Sequence, residues 1–289
     1  DFLVVQDIYE TETAEHADVI LPAATSPEKT GTFTNTERRI QRVNGVADPP
    51  GAARQDWEIT QALAARLGYE WDYDHPREVM DEIASLAPIY GGVSYERLDG
   101  GEEHGLQWPV PDEDHPGTDY LYDYEKGNFN HPDGKARFVP ADMQKPGELP
   151  DEEFPLTLTS GRVLYHWHTG QLTRRVEGLM SHVGESFVEL NPEMADSLGV
   201  SEGEYVRVTS RRGAIVVKAE ITERVGEGTV FIPMHFAAGA VNELTQETFD
   251  PTSGIPEYKV ASVRIESLGM DTGEEVLEVP DRNVGARSD

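Results

Sequence analysis

Residues 186–221 read SFVELNPEMADSLGVSEGEYVRVTSRRGAIVVKAEI, and the order of signals within them sets the fold of the second half of the chain. Residues 186–190 form a short apolar strand. Asn191 and Pro192 follow as an N-cap and a first helical residue. An Asn side chain accepts from the free N–H groups of a first turn, and Pro gives up a donor that has no partner there. A short helix then runs to Leu198, and Gly199 supplies the left-handed stop. Tyr205, Val206 and Val208 form a strand that turns through Arg211-Arg212-Gly213 into a second strand over residues 214–221. Working outward, residues 156–159 alternate, and residues 229–233 and 259–265 read as two more strands, the last beginning at Lys259. Short strands with one brief helix predict a closed barrel.

Toward the N-terminus the period changes. Residues 2–5 read as a short buried strand and residues 18–22 as another, with a short acidic helix over 10–16 between them. Residues 56–67 carry a helical pattern. Ile59, Leu63 and Leu67 share a face, Trp57 and Ala64 lie beside it, and Gly68 stops it. Pro76 opens a second helix with Val79, Met80, Ile83 and Leu86, closed by Pro88. Strands alternating with helices point to an α/β layer over residues 1–90. Over 91–150 the periodicity fades, and turn signals such as His131-Pro-Asp-Gly134 mark a lobe connection. The barrel is expected over 151–268. Residues 269–289 are acidic and unpatterned, and read as a disordered tail.

The chain has 289 residues, enough for about two domains. No apolar run approaches the ~20 residues of a membrane span. The opening, Asp1-Phe2, lacks a secretory pattern and a Met, and reads as part of a longer or processed chain. With 54 acidic against 24 basic residues the formal charge is −30. A surface this acidic repels nucleic acid and anionic membranes. Lys29, Lys126, Lys135, Lys145, Lys218 and Lys259 are the only lysines. Excess acid with so little Lys fits a cytoplasmic protein in molar salt, where screening over a few ångströms relieves self-repulsion. Cysteine is absent, so no thiolate metal ligand or iron–sulfur cluster comes from this chain.

The densest cluster of chemical groups is residues 159–175, TSGRVLYHWHTGQLTRR. Gly lets a backbone come close, N–H groups and hydroxyls donate, and Arg162, Arg174 and Arg175 neutralise. That set suits a phosphate-bearing ligand. A turn followed by a solvated charged strand is the plainer alternative. His166 and His168, two apart, would share one face of a strand, a spacing that metal pairs also use, but no third ligand is near. Asn242 offers a two-way amide and Lys259 a point charge, or else a turn residue and a surface cation. Gln6 and Asp7 end an apolar strand, where an acid often binds ribose hydroxyls. Asp56 reads as a helix N-cap, or as a carboxylate accepting from a guanine edge.

Residues 4–14 (VVQDIYETETA), 17–22 (ADVILP) and 28–39 (EKTGTFTNTERR) resemble the third domain of molybdopterin-dependent oxidoreductases. Residues 160–170 (SGRVLYHWHTG), Thr173-Arg-Arg175, Asn191-Pro-Glu193, Ser210-Arg-Arg-Gly213, Asn242-Glu-Leu-Thr245 and Pro256-Glu-Tyr-Lys259 resemble that family's C-terminal dinucleotide-binding domain. The resemblance spans residues 1–266 and is strongest to catalytic subunits of formate dehydrogenases, with assimilatory nitrate reductases the alternative. It implies an α/β plus β fold: the remainder of a Rossmann-like α/β domain followed by a six-stranded double-psi-type β-barrel. It implies bis(molybdopterin guanine dinucleotide) with Mo or W as cofactor and formate as substrate. It also implies a 4Fe-4S cluster, the metal ligand and the catalytic His in the N-terminal half of the same subunit, and an electron-transfer subunit as a possible partner. Cofactor contacts carried over by the resemblance are Gln6, Asp7, Lys29 and Asp56, and Ser160, Gly161, Arg162, Val163, Leu164, Tyr165, His166, Trp167, His168, Thr169, Asn242 and Lys259. No residue of this chain is implied as catalytic. Two other classes stay open: a stand-alone nucleotide- or pterin-binding module, and a structural barrel adaptor.

Overall fold

The computed structural model describes residues 2–100, 105–122, 127, 129 and 131–270. The expected tail lies outside them from residue 271 onward. The chain forms two compact units, Asp1–Pro140 and Ala141–Asp289.

In the first unit, strands β1 (Val4–Asp7) and β2 (Val19–Pro22) pair in parallel, Val4 against Val19 through Asp7 against Pro22. The expected acidic helix between them is a single 3-10 turn, Ala14–His16. Among the described residues β1 pairs with β2 alone, so Phe2, Leu3 and Val4 are exposed where the sequence predicts a buried strand. A second sheet, not anticipated from the sequence, joins β3 (Gly31–Thr34), β4 (Arg39–Val43) and, further along the chain, β5 (Leu106–Gln107). The β3–β4 hairpin closes through Asn35, whose Oδ1 accepts from the N–H groups of Glu37 and Arg39 at 3.1 and 3.0 Å. Two helices follow it, α1 (Asp56–Arg66) and α2 (Pro76–Leu86), both where periodicity places them. The face differs from expectation: α1 buries Ile59 and Ala64 and leaves Leu63 and Leu67 exposed.

The unit's core is Ile40, Met80, Val93, Tyr95, Leu98 and Val110. Four of these, Val93, Tyr95, Leu98 and Val110, lie within the 91–150 stretch expected to be a lobe connection, and Tyr95 and Leu98 belong to helix α3 (Tyr95–Gly100). Periodicity fades there because two or three residues per segment suffice to fill the core, too few to establish a repeat.

The second unit is a closed six-stranded barrel. Its strands are β6 (Leu156–Gly161), β7 (Phe187–Leu190), β8 (Tyr205–Thr209), β9 (Ala214–Ile221), β10 (Thr229–Pro233) and β11 (Ala261–Gly269), in the order β10-β6-β11-β8-β9-β7. Two pairings are parallel, β10 with β6 and β7 with β9; the others are antiparallel. Alternation puts Leu158, Val188, Leu190, Val206, Val208, Val217, Val230, Ile232 and Val263 inside. Each buried Val, Leu or Ile contributes roughly 1.5–3 kcal/mol. Two short helices accompany the strands, α4 (Glu177–Met180) and α5 (Pro192–Leu198). As predicted, the Asn191 side chain accepts from the Glu193 N–H at 3.1 Å, and Gly199 ends α5 with φ 67°. The last strand starts at Ala261, two residues later than expected, because Lys259 sits in the turn before it.

These directions fix one end of the barrel. The C-termini of β6, β8 and β10 and the N-termini of β7, β9 and β11 all meet there. So the 161–187 connection, the 210–213 turn and the 234–260 connection emerge at the same end, while α5 caps the other.

Candidate functional site

Every barrel residue that the resemblance carries over as a cofactor contact lies at that one end. β6 delivers Ser160 and Gly161, and residues 162–169 leave it as a run of turns. Arg162, Leu164, Trp167, His168 and Thr169 are exposed, Leu164 to 89% and Trp167 to 60%. The Arg162 guanidinium lies 5.1 Å from the Trp167 ring centroid. Lys259 Nζ donates to the Ser160 carbonyl at 2.6 Å, and Ser160 Oγ donates to the Tyr258 carbonyl at 2.8 Å. These two bonds tie the residues before β11 to the end of β6. An ammonium has three donors, so Lys259 keeps two beyond the bond to Ser160. Asn242 is exposed on the 3-10 turn Val241–Glu243. Its neighbour Glu243 approaches Gly213 in the β8–β9 turn, so Asn242 sits on another part of the same end.

The pair His166 and His168 does not share a strand face. β6 has already ended, and His168 takes a left-handed backbone, φ 49°. His166 is buried and both ring nitrogens are engaged, Nδ1 with Thr173 Oγ1 at 3.0 Å and Nε2 with the Val183 carbonyl at 2.7 Å. The described residues hold no group of three or more potential metal ligands. Tyr165 stacks on His182, centroids 4.3 Å apart and planes 7° from parallel.

His235 is left out of the contacts that the resemblance carries over, because the pattern around it matches the family only loosely. It is fully buried after β10, accepts from the Val163 N–H at 2.9 Å through Nε2, and faces the His168 carbonyl through Nδ1. In the sequence it heads the run HFAAGAVN, residues 235–242, which ends in Asn242.

In the first unit, the C-terminal ends of β1 and β2 and the start of α1 meet. Gln6 Nε2 donates to Asp56 Oδ1 at 2.9 Å, and Lys29 Nζ to Asp56 Oδ2 at 2.7 Å. Asp56 is not the N-cap: Gln55 holds that position, in a reciprocal capping box with Glu58. The Asp56 carboxylate therefore serves Gln6 and Lys29 from the first helical position. Burial pushes its pKa up, but the bonds and charge of Lys29 and the bond from Gln6 outweigh this and hold it below the usual Asp value. Asp7 turns its Oδ1 onto the following N–H of Ile8, at 2.7 Å, at the same strand end. The next helical residue, Trp57, has a buried indole N–H without a partner.

The donor set fits a phosphate-linked nucleotide. Cations, hydroxyls and amides converge at the barrel end of a strongly acidic chain, and an acid, an amide and an ammonium are already aligned at a parallel strand terminus. Residues 156–262 match the family model described as a molydopterin dinucleotide binding domain, and residues 1–66 match the molybdopterin oxidoreductase model. The chain belongs to the molybdopterin oxidoreductase family. It is 45% identical over 270 residues to the F420-dependent formate dehydrogenase subunit alpha of Methanocaldococcus jannaschii, covering 93% of this chain and 39% of that protein. It is 43% identical over 275 residues to a putative formate dehydrogenase of Staphylococcus aureus, covering 93% and 27%. Acetylene hydratase from Pelobacter acetylenicus has the same fold over 92% of this chain and 40% of its own, with a TM-score of 0.67 at 20% identity. This molybdopterin oxidoreductase chain thus spans less than half the length of these relatives. No helix among its described residues is long and apolar enough to cross a membrane.

Proposed function

We propose that this chain is the dinucleotide-holding C-terminal portion of a formate dehydrogenase catalytic subunit, with bis(molybdopterin guanine dinucleotide) carrying Mo or W as its ligand. The observation that carries the reading is the convergence of Ser160, the 162–169 turns, Asn242 and Lys259 at one barrel end. The names of the relatives point to formate. When bound, the cofactor supplies the two-electron chemistry that takes formate to carbon dioxide; this chain binds and orients it. Lys259 and Arg162 neutralise phosphate. Thr169 and the turn backbone donate to phosphate oxygens, and Asn242 presents an amide. In the first unit Asp56 accepts from a guanine edge, held in place by Gln6 and Lys29, and Asp7 accepts from ribose hydroxyls.

The chain contains no Cys. By the family resemblance, the 4Fe-4S cluster and the thiolate or selenolate ligand of the metal would lie in the N-terminal half of the same subunit, with an electron-transfer subunit taking the electrons onward. The test is turnover by the full-length subunit with an artificial electron carrier. Formate should reduce the oxidised carrier. Nitrate consumption with the reduced carrier, and none of formate, would assign an assimilatory nitrate reductase instead. A subunit inert with both, yet binding guanine nucleotide, would be a module without redox activity.

A further inference from the structure

An imidazole with one proton has one bare nitrogen and one N–H. The surroundings of His235 choose between them. Nε2 points at a donor, the Val163 N–H, and Nδ1 at an acceptor, the His168 carbonyl. Only the neutral Nδ1–H tautomer satisfies both. The two backbone partners bracket the exposed turns of the cofactor loop, so one buried ring sets the span between its ends. The backbone of His235 closes on the same loop from below. Gly170 has φ 75°, and a Cβ there would lie 2.7 Å from the His235 carbonyl oxygen.

We propose that His235 is the positioning residue of the cofactor loop: as the neutral Nδ1–H tautomer it fixes Val163 against His168, and protonation at Nε2 releases the loop and weakens dinucleotide binding. The proposal rests on the reading of residues 160–169 as cofactor contacts. A second ring proton would face the Val163 N–H, donor against donor, at a fully buried ring. The groups that act on the ring are His166, whose centroid is 5.6 Å away, Arg162 and His168, each cationic or able to become so; Phe236 lies edge-on to His166 at 5.2 Å. Burial, with these neighbours, holds the imidazole below the ordinary His value despite the His168 carbonyl. The sign follows from that direction. A depressed folded pKa means the clamp is intact above the ordinary value of about 6.5 and is lost as pH falls through the lower, folded one.

The test uses the 289-residue chain labelled with nitrogen-15. Ring nitrogen shifts report the His235 tautomer, and amide exchange reports the Val163 N–H. The expected result is an Nδ1–H ring at pH 8, with the Val163 and His168 signals moving together with the His235 titration on acidification. In His235→Ala, exchange at Val163 should rise about tenfold or more at every pH, and affinity for guanosine diphosphate should fall about tenfold, the worth of one to two backbone hydrogen bonds. His235→Gln keeps a side-chain acceptor but does not titrate, so its Val163 amide should stay protected below the pH at which the parent opens. That variant carries the test if His235→Ala fails to fold. An Nε2–H tautomer, or Val163 protection indifferent to both variants, overturns the proposal. Intact ring and amide behaviour without guanosine diphosphate binding to the parent chain would overturn the cofactor reading and leave the clamp standing.

Discussion

Asp56 shows how one helical position is set free from capping. An acid at a helix start ordinarily satisfies its own first turn. Here Gln55 and Glu58 do so, and the Asp56 carboxylate is held between Gln6 and Lys29. The sequence shows the acid and the helix, but not which of two adjacent side chains caps it, since Gln is the weaker capping residue and Asp the expected one. Because its pKa is depressed, the charged form of Asp56 stabilises the fold above the ordinary Asp value of about 3.9, and that contribution fades as pH falls through the lower folded value. Asp56→Asn is therefore expected to flatten the acid limb of the first unit's stability curve. Unfolding followed by Trp fluorescence between pH 2 and 6 checks this; a limb identical to that of the parent would mean the pairing is inert.

At the scale of elements, the barrel strands and the helices α1, α2 and α5 are legible in the sequence, and the three-stranded sheet of the first unit is not. The α5 segment is decided by three neighbouring residues, Asn191, Pro192 and Gly199, so its bounds are clear from sequence. Strand β1 lies at Val4–Asp7, two residues later than expected, and Val4 is exposed, because burial depends on what lies over a strand and not on its own composition. The β3–β4 hairpin was missed because Thr-Phe-Thr and Arg-Ile-Gln-Arg have too few apolar residues to stand out from a loop. The phosphate-type cluster at 159–175 was legible as chemistry. Its clamp was not, since His235 is 67 residues from His168 and only the barrel's parallel β10–β6 pairing brings them together. Gly170 belongs to the same element. With φ 75° and the His235 carbonyl beneath it, Gly170→Ala is expected to displace the loop and cost about 1–3 kcal/mol locally. Nucleotide affinity should drop while the barrel's circular dichroism is unchanged. Unaltered affinity would show that the loop tolerates the shift.

For the whole molecule, charge and cysteine content decide the behaviour. A net charge of −30 with six lysines loads the folded state with self-repulsion that salt screens. The melting temperature is expected to rise from dilute to molar KCl. A flat or falling curve would contradict the reading of an acidic protein adapted to high salt. With no Cys, the 289-residue chain alone is expected to have no formate turnover with an artificial acceptor, whatever nucleotide it holds. The central claim is that the barrel end and the β1–α1 corner hold the cofactor by its dinucleotide parts. The most direct measurement is the metal and guanine nucleotide content of the full-length subunit carrying Lys259→Ala, alone and with Asp56→Ala. A charge-assisted bond is worth roughly 1.5–3 kcal/mol, or about ten- to a hundredfold in affinity. The account predicts that metal and guanine nucleotide fall in parallel, further in the double variant, with the fold retained. Full occupancy of both in the double variant would contradict it.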